Sequence, residues 1–178
     1  MSGTSNALRL LKIRELLFAQ TDEDHPLTLA QINQQLQLMY GEEYASQKNT
    51  IKQMIEHLKY SGFPIEEYVG NRKTTYYYHQ YRKFEVYELR MLIDAVSSAK
   101  FITSEETIKL IEKIKTLTST HLAKKLLHQI SVSSELKALN KEVRYHIDKI
   151  HTSINERKML SFQYGNYNVE KEFVYLCQ

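Results

Sequence analysis

Residues 46–78, SQKNTIKQMIEHLKYSGFPIEEYVGNRKTTYYY, place a helix and a hairpin back to back. In the first half, Ile51, Met54, Ile55 and Leu58 recur at i, i+3, i+4 and i+7, so one side of a helix is apolar. Ser46 is the expected N-cap of a helix spanning 46–61, and Gly62 with Pro64 ends it. The second half changes period. Ile65 to Val69 and Thr74 to Tyr78 read as strands around the turn Gly70-Asn71-Arg72-Lys73, which predicts a β-hairpin with a basic tip.

Upstream, Asn6 to about Gln20 carries Leu8, Leu11, Ile13, Leu16 and Leu17 on a helical stripe, with Ser5 or Asn6 as cap. Thr28 and Gln31 have the spacing of a capping box that opens a short helix bearing Leu29, Ile32, Leu36 and Leu38. Three short helices followed by a hairpin is the element order of a winged helix-turn-helix.

Downstream, helical periodicity returns from Phe84 through Val86, Leu89, Leu92, Ile93 and Val96. A second capping box, Thr103 with Glu106, leads into Ile108, Ile111, Ile114 and Leu117, and a further turn or two holds Leu122, Leu126, Leu127 and Ile130. After the polar stretch Ser131 to Ser134, a long helix is expected from about Asn140 to Lys158. Leu160, Phe162 and Tyr164 then alternate with polar residues, Gly165 to Asn168 reads as a turn, and Val169 to Cys177 as a second strand. Two strands do not make an independent sheet. The apolar run EFVYLCQ therefore predicts the opening of a larger β domain, or a hairpin that borrows a partner surface.

Composition removes several classes. At 178 residues with 42% hydrophobic and 25% charged side chains, the chain can build real cores, and five Gly and two Pro argue against a disordered or collagen-like polymer. No apolar run reaches membrane-spanning length, and Arg9, Lys12 and Arg14 interrupt the amino-terminal segment, so neither a membrane span nor a secretory signal is expected. The single cysteine, Cys177, excludes a disulfide framework and fits a cytoplasmic location. The net charge of +3 is too small to mark a nucleic-acid binder by itself. Its distribution is more informative: Lys48, Lys52, Lys59, Arg72, Lys73, Arg82 and Lys83 face only Glu56, Glu66 and Glu67 between residues 46 and 83, an excess of four.

The side of helix 46–61 opposite its apolar stripe carries Ser46, Asn49, Gln53, His57 and Tyr60, flanked by Thr50 and Lys52. Asn and Gln suit adenine, Lys suits guanine or phosphate, and Ser or Thr suits either. Contacts come mainly from the amino-terminal half of such a helix, where unpaired N–H groups also favour phosphate. The candidate DNA-binding residues are therefore Ser46, Gln47, Lys48, Asn49, Thr50, Lys52 and Gln53, joined by Asn71, Arg72 and Lys73 at the hairpin tip. A solvated polar face and an ordinary polar turn are the plainer alternatives. Tyr76, Tyr77 and Tyr78 could stack on bases, but strand geometry sends them to alternate sides, and packing is favoured.

No catalytic residues, metal site or cofactor is expected. The pairs His121/His128 and His146/His151 lie seven and five apart, GxSxG, GxxxxGK[ST] and HExxH are absent, and Cys177 has no identifiable base.

The helix ending KNTIKQMIEHLKYSGFPI (48–65), the segment GNRKTTYYYHQYRKFEVYELRMLIDAVSSAKFIT (70–103) and IDKIHTSINERKMLSFQYGNY (147–167) together resemble WYL-domain transcriptional regulators over nearly the whole chain. Thr50, Ile55, Leu58 and Gly62 match the family's recognition-helix pattern, and Ile154, Glu156, Arg157, Leu160, Phe162 and Tyr164 match the opening of the WYL module. Where family members commonly carry Arg-Asp, this chain has Gln53-Met54, so their base preferences do not transfer. Val174-Tyr175-Leu176 stands too early after the opening strand to be the Trp-Tyr-Leu signature, which would lie beyond Gln178.

The resemblance implies a mainly α protein with small β elements. A winged helix-turn-helix (1–83) is expected, then a helical linker or dimerisation region (84–139), then the helix and opening hairpin of an incomplete Sm-like WYL barrel (140–178). The implied function is cytoplasmic, non-enzymatic transcription regulation by a homodimer on inverted-repeat double-stranded DNA. A nucleotide or nucleic-acid effector would act through the WYL portion, with no membrane partner. The alternative is a winged-helix protein-interaction scaffold without direct DNA readout.

Overall fold

Local sequence signals set most helix boundaries. The computed structural model describes residues 5–126, 142–161, 164–167, 169 and 173–176. These residues form a mainly helical protein with small antiparallel sheets. Helix α1 (Asn6–Gln20) starts at Ser5, whose hydroxyl accepts from the Ala7 N–H. Helix α2 (Leu29–Tyr40) opens on the reciprocal Thr28/Gln31 box. Helix α3 (Lys48–Tyr60) closes in a Schellman turn: Gly62 N–H donates to the Lys59 carbonyl and Phe63 N–H to that of Leu58, with Gly62 at φ 86°.

Strand β1 (Leu27–Thr28) lies between α1 and α2; β2 (Ile65–Val69) and β3 (Thr75–His79) form the hairpin. β3 is central, pairing β2 with Ile65 opposite His79 and β1 with Leu27 opposite Tyr77. Alternation along β3 turns Tyr77 and His79 inward. Tyr77 joins Ile13, Leu16 and Leu17 of α1, Ile32 and Leu36 of α2, and the apolar stripe of α3 in the principal core. Two expected stripes are narrower than the sequence suggested. Leu8 and Leu11 are exposed, and Leu38 is 72% exposed, because α1 and α2 each meet their neighbours along one side only.

Beyond the hairpin, α4 (Val86–Ser98), α5 (Ser104–Lys115) and α6 (Thr120–Lys125) enclose a second, smaller cluster of Leu89, Ile93, Ile111 and Leu126. α4 begins two residues after Phe84, where the Glu85 N–H donates to Glu88 Oε2, and the Thr103/Glu106 box opens α5. Ile108 is 54% exposed, since Thr107 and Ile111 supply the inward side of α5.

Buried polar bonds tie this region to the first. Asp22, after α1, accepts from Ser119 Oγ at the start of α6, while its other oxygen lies 2.7 Å from His25 Nδ1. His25 in turn stacks on His121 at 3.8 Å. Burial alone would raise the Asp22 carboxyl, but its bonds to Ser119 and His25 outweigh that and hold it below the ordinary carboxylate range. Arg82 Nη2 donates to the Phe18 and Thr21 carbonyls at the end of α1, a favourable place for a cation.

Helix α7 (Val143–Asn155) is shorter than the expected span; the segment 158–161 has no regular structure. Strands β4 (Tyr164–Tyr167) and β5 (Phe173–Leu176) pair with Tyr164 opposite Leu176 and Tyr167 opposite Phe173. The expected turn at residues 165–168 is thus corrected: Gly165 to Tyr167 lie in the strand, and Val169 is an exposed turn residue. A Gly-Asn pair favours a turn locally, but the β4/β5 ladder incorporates it and moves the reversal downstream. The readings placed on Leu127, Ile130, Ser131 to Ser134, Asn140, Phe162 and Cys177 fall outside the described residues. Among the described residues no helix is long and apolar enough to cross a membrane.

Candidate functional site

The inner face of α3 is filled by Ile51, Met54, Ile55 and Leu58, all buried, which fixes the rotation of the helix. Its outer face is uncovered. Gln47, Lys48, Asn49, Lys52 and Gln53 are exposed, as is His57, and Tyr60 is 96% exposed; Ser46 and Thr50 are half-buried.

The expected cap at Ser46 is corrected. Its backbone N–H donates to Asn33 Oδ1 of α2 at 2.9 Å, so the first helical residue moves to Lys48 and Gln47 takes the cap position, without a side-chain capping bond. The start of α3 is further held by Arg9 of α1, whose guanidinium donates to the carbonyls of Glu43 and Tyr44 in the α2–α3 connector. Asn33 and Arg9 thus position the helix through partners 13 and up to 35 residues away, for which the local sequence carries no signal.

At the hairpin tip the Gly70 N–H donates to the Thr74 carbonyl, and Asn71, Arg72 and Lys73 are exposed. Arg72 (φ 59°, ψ 28°) and Lys73 (φ 59°) both occupy the left-handed region. A tight hairpin turn demands this conformation, and Asn or Gly adopts it at lower energy. Two long cations at these positions therefore carry a local penalty of about 1–2 kcal/mol each.

The basic excess of the segment is only partly available to a ligand. Lys59 bridges Glu67 of β2 at 2.8 Å and approaches Glu56 at 3.8 Å, and Arg82 is engaged at the end of α1. Lys48 and Lys52 on α3 and Arg72 and Lys73 at the tip remain exposed. The Lys59–Glu67 bridge also couples the hairpin to the carboxyl-terminal half of α3. Of the three consecutive tyrosines, Tyr77 is 1% exposed and Tyr76 stacks on Tyr68 across the hairpin, as the packing alternative expects.

Among the described residues no group of three or more His, Cys, Asp or Glu is arranged to hold a metal ion. Comparison with protein-family models, curated proteins and solved structures finds no match.

Proposed function

We propose that the protein is a winged helix-turn-helix regulator of the WYL type that reads duplex DNA with α3 and the β2–β3 wing. The observation that carries this reading is the two-sided character of α3: an apolar face locked into the core, opposite a solvent-open face of Lys48, Asn49, Lys52 and Gln53. The element order α1-β1-α2-α3-β2-β3, with β3 central, supports it, as do two cations kept in left-handed backbone at the wing tip. Lys48, Lys52, Arg72 and Lys73 would neutralise phosphates, while Asn49, Gln53 and Thr50 would meet base edges. A homodimer would place two such readers on an inverted repeat. Exposed Met91, Leu92 and Ile108 on α4 and α5 offer apolar surface for that contact. The β4–β5 hairpin would open the WYL module through which a nucleotide or nucleic-acid effector acts.

The test is titration of fluorescent duplex DNA at several salt concentrations. Lys48→Ala and Arg72→Ala are each expected to weaken binding to all duplexes and reduce the salt slope by about 1, whereas Asn49→Ala or Gln53→Ala relaxes sequence preference at a cost of about 1–3 kcal/mol on the preferred site. Unchanged affinity in all four variants removes the interface.

The turn gives a separate prediction. Arg72→Asn combined with Lys73→Gly should raise the denaturation midpoint, by about 1 kcal/mol or more in stability, while lowering duplex affinity. A variant that gains stability and keeps full affinity would show that the tip cations do not contact DNA.

The exposure of Tyr60, Tyr68 and Val69 favours the alternative of a protein-interaction scaffold. Association that does not respond to salt distinguishes it from phosphate binding.

A further inference from the structure

A cleft of about 420 Å³ opens where α1, the α3–β2 turn, the β3–α4 segment and the α5–α6 loop converge. This volume falls within the ordinary range of small-molecule sites. Phe18, Phe63, Tyr81 and Phe84 contribute aromatic walls, with His79 as a fifth ring. Flat rings in such a wall favour a flat occupant, through offset stacking and edge-to-face contact.

The charged side chains that line the cleft are basic. Arg14 and Lys83 line it, none of the described lining residues is acidic, and the Arg14 guanidinium sits 5.1 Å from the centre of the Phe63 ring. A neighbouring smaller cleft, by contrast, contains Asp22, Glu23, Asp24 and Glu85. Burial chiefly, and after it Arg82 and Arg14, lowers the pKa of the His79 ring to about 4, so the ring stays neutral beside these cations. His79 Nδ1 meets no hydrogen-bond partner among the described residues.

We propose that this cleft binds a small planar aromatic carboxylate, its ring between the aromatic walls and its carboxylate paired with Arg14 and Lys83. Such a ligand would touch both the α1–α3 unit and the segments leading into the α4–α6 region. It would sit beyond the carboxyl-terminal end of α3, whereas the candidate DNA contacts lie in the amino-terminal half of that helix and at the hairpin tip. Binding is therefore measurable on the full chain without DNA, and its outcome is independent of the regulator reading.

The probe is 2-naphthoate, titrated by calorimetry and by amide chemical shifts. 2-Naphthalenemethanol keeps the rings without the charge, and cyclohexanecarboxylate keeps the charge without the rings. The expected result is saturable binding of 2-naphthoate below about 1 mM, shifts at Gly62, Phe63 and His79, and much weaker binding of both controls. Arg14→Gln with Lys83→Gln, both at solvent-exposed positions, should weaken 2-naphthoate about tenfold or more. Three outcomes would each overturn the proposal: no saturation at about 1 mM, equal binding of the neutral alcohol, or full affinity in the double variant.

Discussion

Tyr77→Ala is expected to lower the free energy of unfolding by about 3–5 kcal/mol in urea denaturation, the range for removing a large aromatic side chain from a core. Tyr77 stands on the central strand, opposite Glu67 of β2 on one side and Leu27 of β1 on the other, and its ring belongs to the cluster that joins α1, α2 and α3. Truncation leaves a cavity that close-packed neighbours fill only in part. Tyr68→Ala is the control. Its ring stacks on Tyr76 but is 46% exposed, so its loss should cost about 1 kcal/mol or less. Equal effects at the two positions would mean that β3 does not present Tyr77 to the core.

That ring also marks what the sequence could reveal. Three consecutive tyrosines on a strand must alternate, so one side had to differ from the other, but nothing local says which side meets helices. The apolar stripe of α3 and the boxes at Thr28 and Thr103 were legible because their partners lie within one or two helical turns. β1 was not. Two residues give no periodicity, and the strand exists only because β3 is there to pair with it. The Asp22–Ser119 link spans 97 residues and the Arg82–Phe18 bond 64, and no spacing rule reaches across such distances. Much the same holds at the candidate interface. The polar face and the hairpin were readable from residue type, whereas the shift of the α3 cap followed from Asn33, and Lys59 and Arg82 proved to be engaged by structure.

The second large effect concerns acid. His79 is buried between Phe18 and Phe63, with ring centres at 5.1 and 4.7 Å. Burial chiefly, then Arg82 and Arg14, lowers its pKa from 6.5 to about 4. The unfolded chain therefore takes up a proton near pH 6.5 that the folded protein refuses until about pH 4. Stability from this group is complete above pH 6.5, declines by about 1.4 kcal/mol per pH unit on acidification, and is lost near pH 4, up to about 3 kcal/mol in all. Asp22 acts in a lower window, because its carboxyl is held below the ordinary 3.8. His79→Phe keeps a ring in the same space and removes the titration. Its denaturation midpoint should be nearly level from pH 6.5 to 4.5, while that of the unmodified protein falls; parallel curves would assign the acid sensitivity elsewhere.

If the protein reads duplex DNA as proposed, the outer face of α3 and the tip of the β2–β3 hairpin meet one duplex together. Amide chemical-shift mapping of the full chain, titrated with duplex DNA at low salt, tests it directly. Salt-reversible shifts are expected, concentrated at Lys48 to Gln53 and at Asn71 to Lys73, with the amides of the β4–β5 hairpin unaltered. Shifts confined to other surfaces, or none at all, would contradict it.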